Sequence, residues 1–185
     1  YVHPFNSFSH IETTYDKLGK IMVKISHNYD DEMKVLLNYK VNEVIKDNIT
    51  SSMDDTVKIK KIHDYIINNS EYDRNRSDKN IFDYKSNTAY GVLLEGYGIC
   101  SGYTDSMMLF LEKMDIKSFK VSSDNHVWNK VLLNNKWYNL DLTWDDPVNS
   151  DESDLLLHDF FLVSDEEMLK IDKTEHTYDK SVYES

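Results

Sequence analysis

Apolar and polar positions alternate in KIMVKIS (Lys20 to Ser26), with Ile21, Val23 and Ile25 on one face, and this two-residue period predicts a strand. Residues 1 to 18 before it show no clear period. From Asp31 to Asn48 the period changes to 3.6. Met33, Leu36, Leu37, Val41, Val44 and Ile45 fall on one stripe, behind the Asp30 and Asp31 carboxylates that suit a helix start. A capping pattern at Ser52 and Asp55 opens a second helix through Val57, Ile59, Ile62 and Ile66 to about Asn69. Residues 71 to 87 are polar and aperiodic and read as a long surface loop. After a short helical piece near Tyr90 to Leu94, the stripe Met107, Met108, Leu111 and Met114 predicts a helix starting at about Cys100. Beyond Asp115 the segments SFKVSS, HVWNKVLL, KWYNLDLTW and HDFFLV read as strands, followed by a short helix opened by Ser164 and Glu167.

Composition narrows what such a chain can do. Its 185 residues suit one domain, and 33 acidic against 21 basic residues give a net charge of −12 with no basic cluster, so nucleic acid is excluded as a partner. No apolar run approaches the roughly 20 residues of a membrane span. With 40% hydrophobic and 12% aromatic residues the chain has the makings of a folded, soluble core. A single cysteine forms no internal disulfide and leaves one free thiol to explain. The first residue is Tyr1, which leaves room for a leader or flanking domains outside the sequence; a secreted or cell-surface bacterial protein is the expectation.

That thiol sits in GYGICSGYTDSMML, where Gly96, Gly98 and Gly102 surround Cys100 at the loop-to-helix transition. A helix N-terminus offers unpaired N–H groups and a partial positive charge, both of which favour a thiolate. Glycines let the chain turn sharply there and let another backbone come close. In HVWNKVLLNNKWYNLDLTW, the Asn134-Asn135 pair suits a two-residue hairpin turn. Counting outward from it, Leu133 faces Lys136, Trp128 faces Asp141 and His126 faces Thr143. His126 and Asp141 then become same-face diagonal neighbours about 7 Å apart. Val127, Val131, Tyr138, Leu140 and Leu142 fall on the opposite face. A nucleophile, a base and a carboxylate orienting that base suffice for acyl transfer, so Cys100, His126 and Asp141 are the candidate triad.

Tyr84 and Asn87 are candidate oxyanion donors from the long loop, and Trp128 and Trp144 could wall the site against water. Asp145, Asp146, Asp151, Glu152 and Asp154 form an acidic loop without EF-hand spacing, read as solvated. His63, His158, His176, His3, His10 and His27 show no zinc-ligand spacing with Cys100, so no metal or cofactor is expected.

The segments IHDYIINNSEYD, GYGICSGYTDSMMLFLEKMDIKS and HVWNKVLLNNKWYNLDLTWDDP resemble, in that order, the motifs of the transglutaminase-like superfamily. The likeness spans about residues 57 to 165; a position often held by Ala after GY is Thr104 here. It implies an α+β, papain-like fold with the Cys-bearing helix packed on an antiparallel sheet. It also implies the roles of nucleophile, base and orienting carboxylate for Cys100, His126 and Asp141. The expected organisation is one domain over residues 1–185, with 1–50 as a strand-plus-helix extension and 57–165 as the catalytic core. The favoured activity is hydrolysis of a protein or peptide amide through a Cys thioester. The alternatives are a transamidating crosslinker and a non-catalytic peptide-binding or cell-surface module on the same fold.

Overall fold

Two amphipathic helices carry the predicted stripes. Helix α1 (Asp31–Asn48) starts at Asp30, whose carboxylate accepts the backbone N–H of Met33, and it buries Met33, Leu37, Val41 and Val44. Leu36, placed on the same stripe by periodicity, stays exposed at its edge. Helix α2 (Asp55–Asn68) is capped by Asp54 rather than Ser52, because the Asp54 carboxylate takes the N–H of Val57. A computed structural model describes residues 2–147 and 155–183 of the chain.

Ahead of α1, strands β1 (Phe8–Tyr15) and β2 (Ile21–His27) pair as an antiparallel hairpin, exposed along nearly all its length. β1 was not visible in the sequence because the hairpin lies against no core, so nothing imposes an apolar period on it. After α2 the polar stretch is more ordered than a loop. It holds β3 (Glu71–Tyr72) and helix α3 (Arg74–Lys79), which buries no residue and therefore carries no stripe. Residues 91–95 form a π-helical turn, and β4 (Tyr97–Gly98) pairs in parallel with β3.

Helix α4 (Cys100–Lys113) is the centre of the molecule, buried on all sides from Gly102 to Leu111. The glycines before and within it act as the sequence suggested. Gly96 takes φ +81°, and a Cβ on Gly102 would lie 2.2 Å from the carbonyl oxygen of Ser86. One face of α4 packs on a four-stranded antiparallel sheet of order β5 (Ser118–Ser122), β6 (Val127–Leu133), β7 (Lys136–Leu140) and β8 (Phe161–Val163). The β6–β7 register matches the count from the turn: Leu133 pairs with Lys136 and Val131 with Tyr138, and Asn134 and Asn135 both have positive φ. Val131, Leu133 and Leu140 join α1, α2 and α4 in the main core. On the opposite side of the sheet Val121 and Trp128 pack with Phe160 and with Met168 of helix α6 (Asp165–Ile171), which opens with the expected Ser164–Glu167 capping box.

Strand β7 ends at Leu140, and the predicted strand through Trp144 is instead a single helical turn, α5 (Leu142–Asp145). Asp141 causes the change, since its Oδ1 accepts the N–H groups of Thr143 and Trp144 and turns the chain. No helix among the described residues is long and apolar enough to cross a membrane.

Candidate functional site

At the end of β7, Asp141 is 1% exposed and receives His126 from the loop before β6, with His126 Nε2 2.5 Å from Asp141 Oδ2. The same oxygen lies 2.9 Å from Nε2 of His176, and Nδ1 of His176 lies 2.9 Å from Oδ2 of Asp172. The result is a buried imidazole–carboxylate–imidazole cluster. Burial is the largest influence on His126 and would push its pKa down. The charge of Asp141 and its hydrogen bond, with smaller help from Cys100, instead raise it to about 10. Burial likewise pushes Asp141 up, but the charge and hydrogen bonds of the two imidazoles hold it below the usual carboxylate range.

Rings close over the cluster. Trp128 stacks on His126 at 5.9 Å between centroids and donates its indole N–H to Asn139. Trp128, Trp144 and Phe160 surround His176 at 5.1, 5.1 and 5.0 Å. The two tryptophans therefore wall in a histidine of the C-terminal segment.

Cys100 is half-buried at the first residue of α4, close enough to His126 to contribute to its raised pKa. Its sulfur does not belong to the cluster, whose ligating atoms, all within 4.8 Å of one another, come from His126, Asp141 and His176. The expected Cys–His–Asp triad, with its thioester, acyl-transfer and hydrolase chemistry, is thereby corrected. His176 takes the third place, and the carboxylate that was to orient one base is shared between two imidazoles. Thr104 secures this end of α4, its hydroxyl lying 2.8 Å from the carbonyl oxygen of Cys100 and 3.0 Å from that of Val127.

Tyr84 stacks on Tyr97 at 4.0 Å, and the carbonyl of Asn87 accepts the hydroxyl of Ser101. Tyr72, in the same stretch, has its pKa raised by burial first and by Cys100 next. Asp145 and Asp146 are buried and not part of a solvated loop: Asp145 accepts the N–H of Phe160 and Asp146 the hydroxyl of Tyr103. Asp151, Glu152 and Asp154 lie outside the described residues.

Sequence reasoning missed His176, which lies 35 residues beyond Asp141 in an aperiodic tail. It also missed a second cluster, His63–Asp64–His158, which spacing relative to Cys100 could not reveal. The expectation of no metal rests on that spacing and, for calcium, on the missing EF-hand pattern of the acidic loop.

The transglutaminase-like superfamily model matches residues 42–142. Among solved structures, a crystal structure of a TGase is similar with a TM-score of 0.56 at 14% identity, over 77% of this chain and 46% of the other. A protein from Cytophaga hutchinsonii provisionally classed as a cysteine protease aligns with a TM-score of 0.43 at 13% identity, over 72% and 61% of the two chains. The chain thus spans roughly half to three-fifths of the length of these structures. No curated protein matches the sequence.

Proposed function

Because the chain belongs to the transglutaminase-like superfamily and its Asp141 cluster closes without the cysteine, we propose that it is a non-catalytic module that binds peptides. The observation that carries this reading is a cleft of about 1090 Å³ that runs across β5, β6 and β7, lined in part by Lys117, Phe119, Lys120, Trp137, Tyr178 and Tyr183. Phe119 meets Trp137 edge-on at 4.7 Å and stacks on Tyr183 at 5.9 Å. Trp137 is 43% exposed, so a large ring is available as an anchor. β5 is an edge strand, the kind of element to which an extended peptide adds.

Charge selects the occupant. In a chain of net charge −12, Lys117 lines the cleft without an ion-pair partner among the described residues, while Lys120 and Lys130 are held by Asp105 and Asp165. An extended peptide that places a carboxylate near Lys117 and an apolar side chain on Trp137 meets both features.

Titrating Trp fluorescence with a decapeptide rich in Glu and Leu, and with its Lys-for-Glu counterpart, tests this. The acidic peptide is expected to bind and to weaken with salt, and Lys117→Glu is expected to weaken it by at least tenfold. Equal binding of the basic peptide would reject the reading. So would amide turnover that disappears in Cys100→Ala.

A further inference from the structure

His63 lies on α2 with its side chain fully buried, and both of its ring nitrogens meet carboxylates: Nε2 is 3.1 Å from Asp145 Oδ2, and Nδ1 is 3.0 Å from Asp64 Oδ1. Nε2 of His158, reached from the segment before β8, is 2.7 Å from the same Asp64 oxygen. The ammonium of Lys60 completes the group, 2.7 Å from Asp64 Oδ2 and 2.7 Å from Nε2 of His158.

With Lys60 an ammonium and Asp64 ionised, no placement of protons satisfies both contacts of His158 Nε2. A hydrogen bond from Lys60 to His158 needs a lone pair on Nε2, whereas a hydrogen bond from the same nitrogen to Asp64 needs a proton there. A neutral His63 ring has one N–H to offer two carboxylates, a shortfall that a second ring proton would make good. A cation bound directly to the nitrogen lone pairs and to the Asp64 carboxylate removes the conflict at His158 and leaves a neutral His63 with one carboxylate to serve. His63 then donates Nε2–H to buried Asp145, the outer-shell carboxylate that fixes a ligating imidazole's tautomer. A proton-bearing ammonium can fill the cation's place only imperfectly.

We propose that His63 Nδ1, Asp64 Oδ1 and His158 Nε2 form a site for a divalent first-row transition-metal ion, zinc by preference, from which Lys60 swings away when the ion enters. Two imidazoles and one carboxylate suit zinc, cobalt or nickel rather than calcium or magnesium, which take oxygen ligands. The three ligand atoms already lie within 4.8 Å of one another. Tetrahedral zinc with ligands at about 2.0–2.1 Å holds them about 3.4 Å apart, so the movement needed is small. The Asp64 and His158 side chains are 27% and 35% exposed, which gives the ion a route in and leaves a fourth position open to water.

The test is titration of the metal-stripped full chain with zinc chloride, and separately with cobalt chloride, at neutral pH. One ion per chain is expected, with visible absorption from the cobalt form. His158→Ala and Asp64→Asn are each expected to weaken zinc binding by at least tenfold, and Lys60→Met to strengthen it severalfold by removing the competing ammonium. Circular dichroism checks that the variants keep their fold, which the partial exposure of residues 64 and 158 favours. Absence of uptake would overturn the proposal. So would unchanged affinity in both ligand variants, or uptake lost in His176→Phe but kept in His158→Ala, which would assign the ion to the inner cluster.

Discussion

Asp141 and Asp64 each lie between two imidazoles, and α5, one helical turn, connects their surroundings: Asp141 caps its start, while Asp145 at its end holds His63. At Asp141 every member is buried and three aromatic rings cover His176. At Asp64 only His63 is buried, and an ammonium stands among the ligands. Water makes the difference. The inner carboxylate has no solvent to fall back on, so its charge must be met by the imidazoles, and the cluster acts as a staple between the sheet and the C-terminal segment. The outer carboxylate is drawn down to about pKa 2, although burial, the largest influence on it, pushes the other way; Lys60 and the two histidines outweigh that push. Its partners can be exchanged because one side is open.

Removing the inner carboxylate should therefore have the largest effect. Asp141→Ala leaves two buried imidazoles without their acceptor and takes the cap from α5, and we expect urea denaturation to show a loss of about 3–5 kcal/mol. A loss below about 1 kcal/mol would mean that solvent reaches the inner cluster and that the contrast with Asp64 is false.

The pH dependence probes the same contrast from the protons. His126 is raised from 6.5 to about 10, so its stabilising contribution is fully present below pH 6.5 and is lost as pH rises through 10. Asp141 is lowered, so its contribution is present above pH 3.8 and is lost as pH falls through the lowered value. Thermal melting should show an alkaline decline on the order of a few kcal/mol that is absent in His126→Gln. Persistence of that decline in the variant would assign it to other groups. A smaller effect, about 1–3 kcal/mol, is expected of His176→Ala, which leaves the Asp141–His126 pair in place but opens the aromatic cage. Hydrogen exchange over residues 172–183 should rise in that variant; unchanged protection there would detach the segment's order from the staple.

What could be read in the sequence follows the range of the forces involved. Asn134 and Asn135 set a turn, and the turn set the β6–β7 register by local geometry, so Leu133 opposite Lys136 and the nearness of His126 to Asp141 were countable. Asp30 and Ser164 announced helix starts by the same local chemistry. The end of β7 was legible in principle, because an Asp before a short run is a capping pattern, but the alternation of KWYNLDLTW outweighed it. Helix α3 has no buried side to give it a period. His176 and His158 come to their carboxylates across 35 and 94 residues, a matter of packing that leaves no trace in spacing. The triad expectation failed at this point: a local count found a base and its carboxylate, and a remote histidine completed the cluster.

The smallest effect is expected at the outer carboxylate, and its smallness is what gives the comparison content. Asp64→Asn removes a charge from a partly exposed site where Lys60 and His158 both face solvent, and such pairs contribute about 0–1 kcal/mol. Asn also keeps an acceptor oxygen for one of the imidazoles. The metal-free variant should therefore unfold within about 1 kcal/mol of the wild type in urea, with the difference shrinking as salt is added. If it instead lost as much as Asp141→Ala, Asp64 would be part of a buried staple like the inner one. The two clusters would then differ in position only, and exposure could no longer explain why one of them can open to an ion.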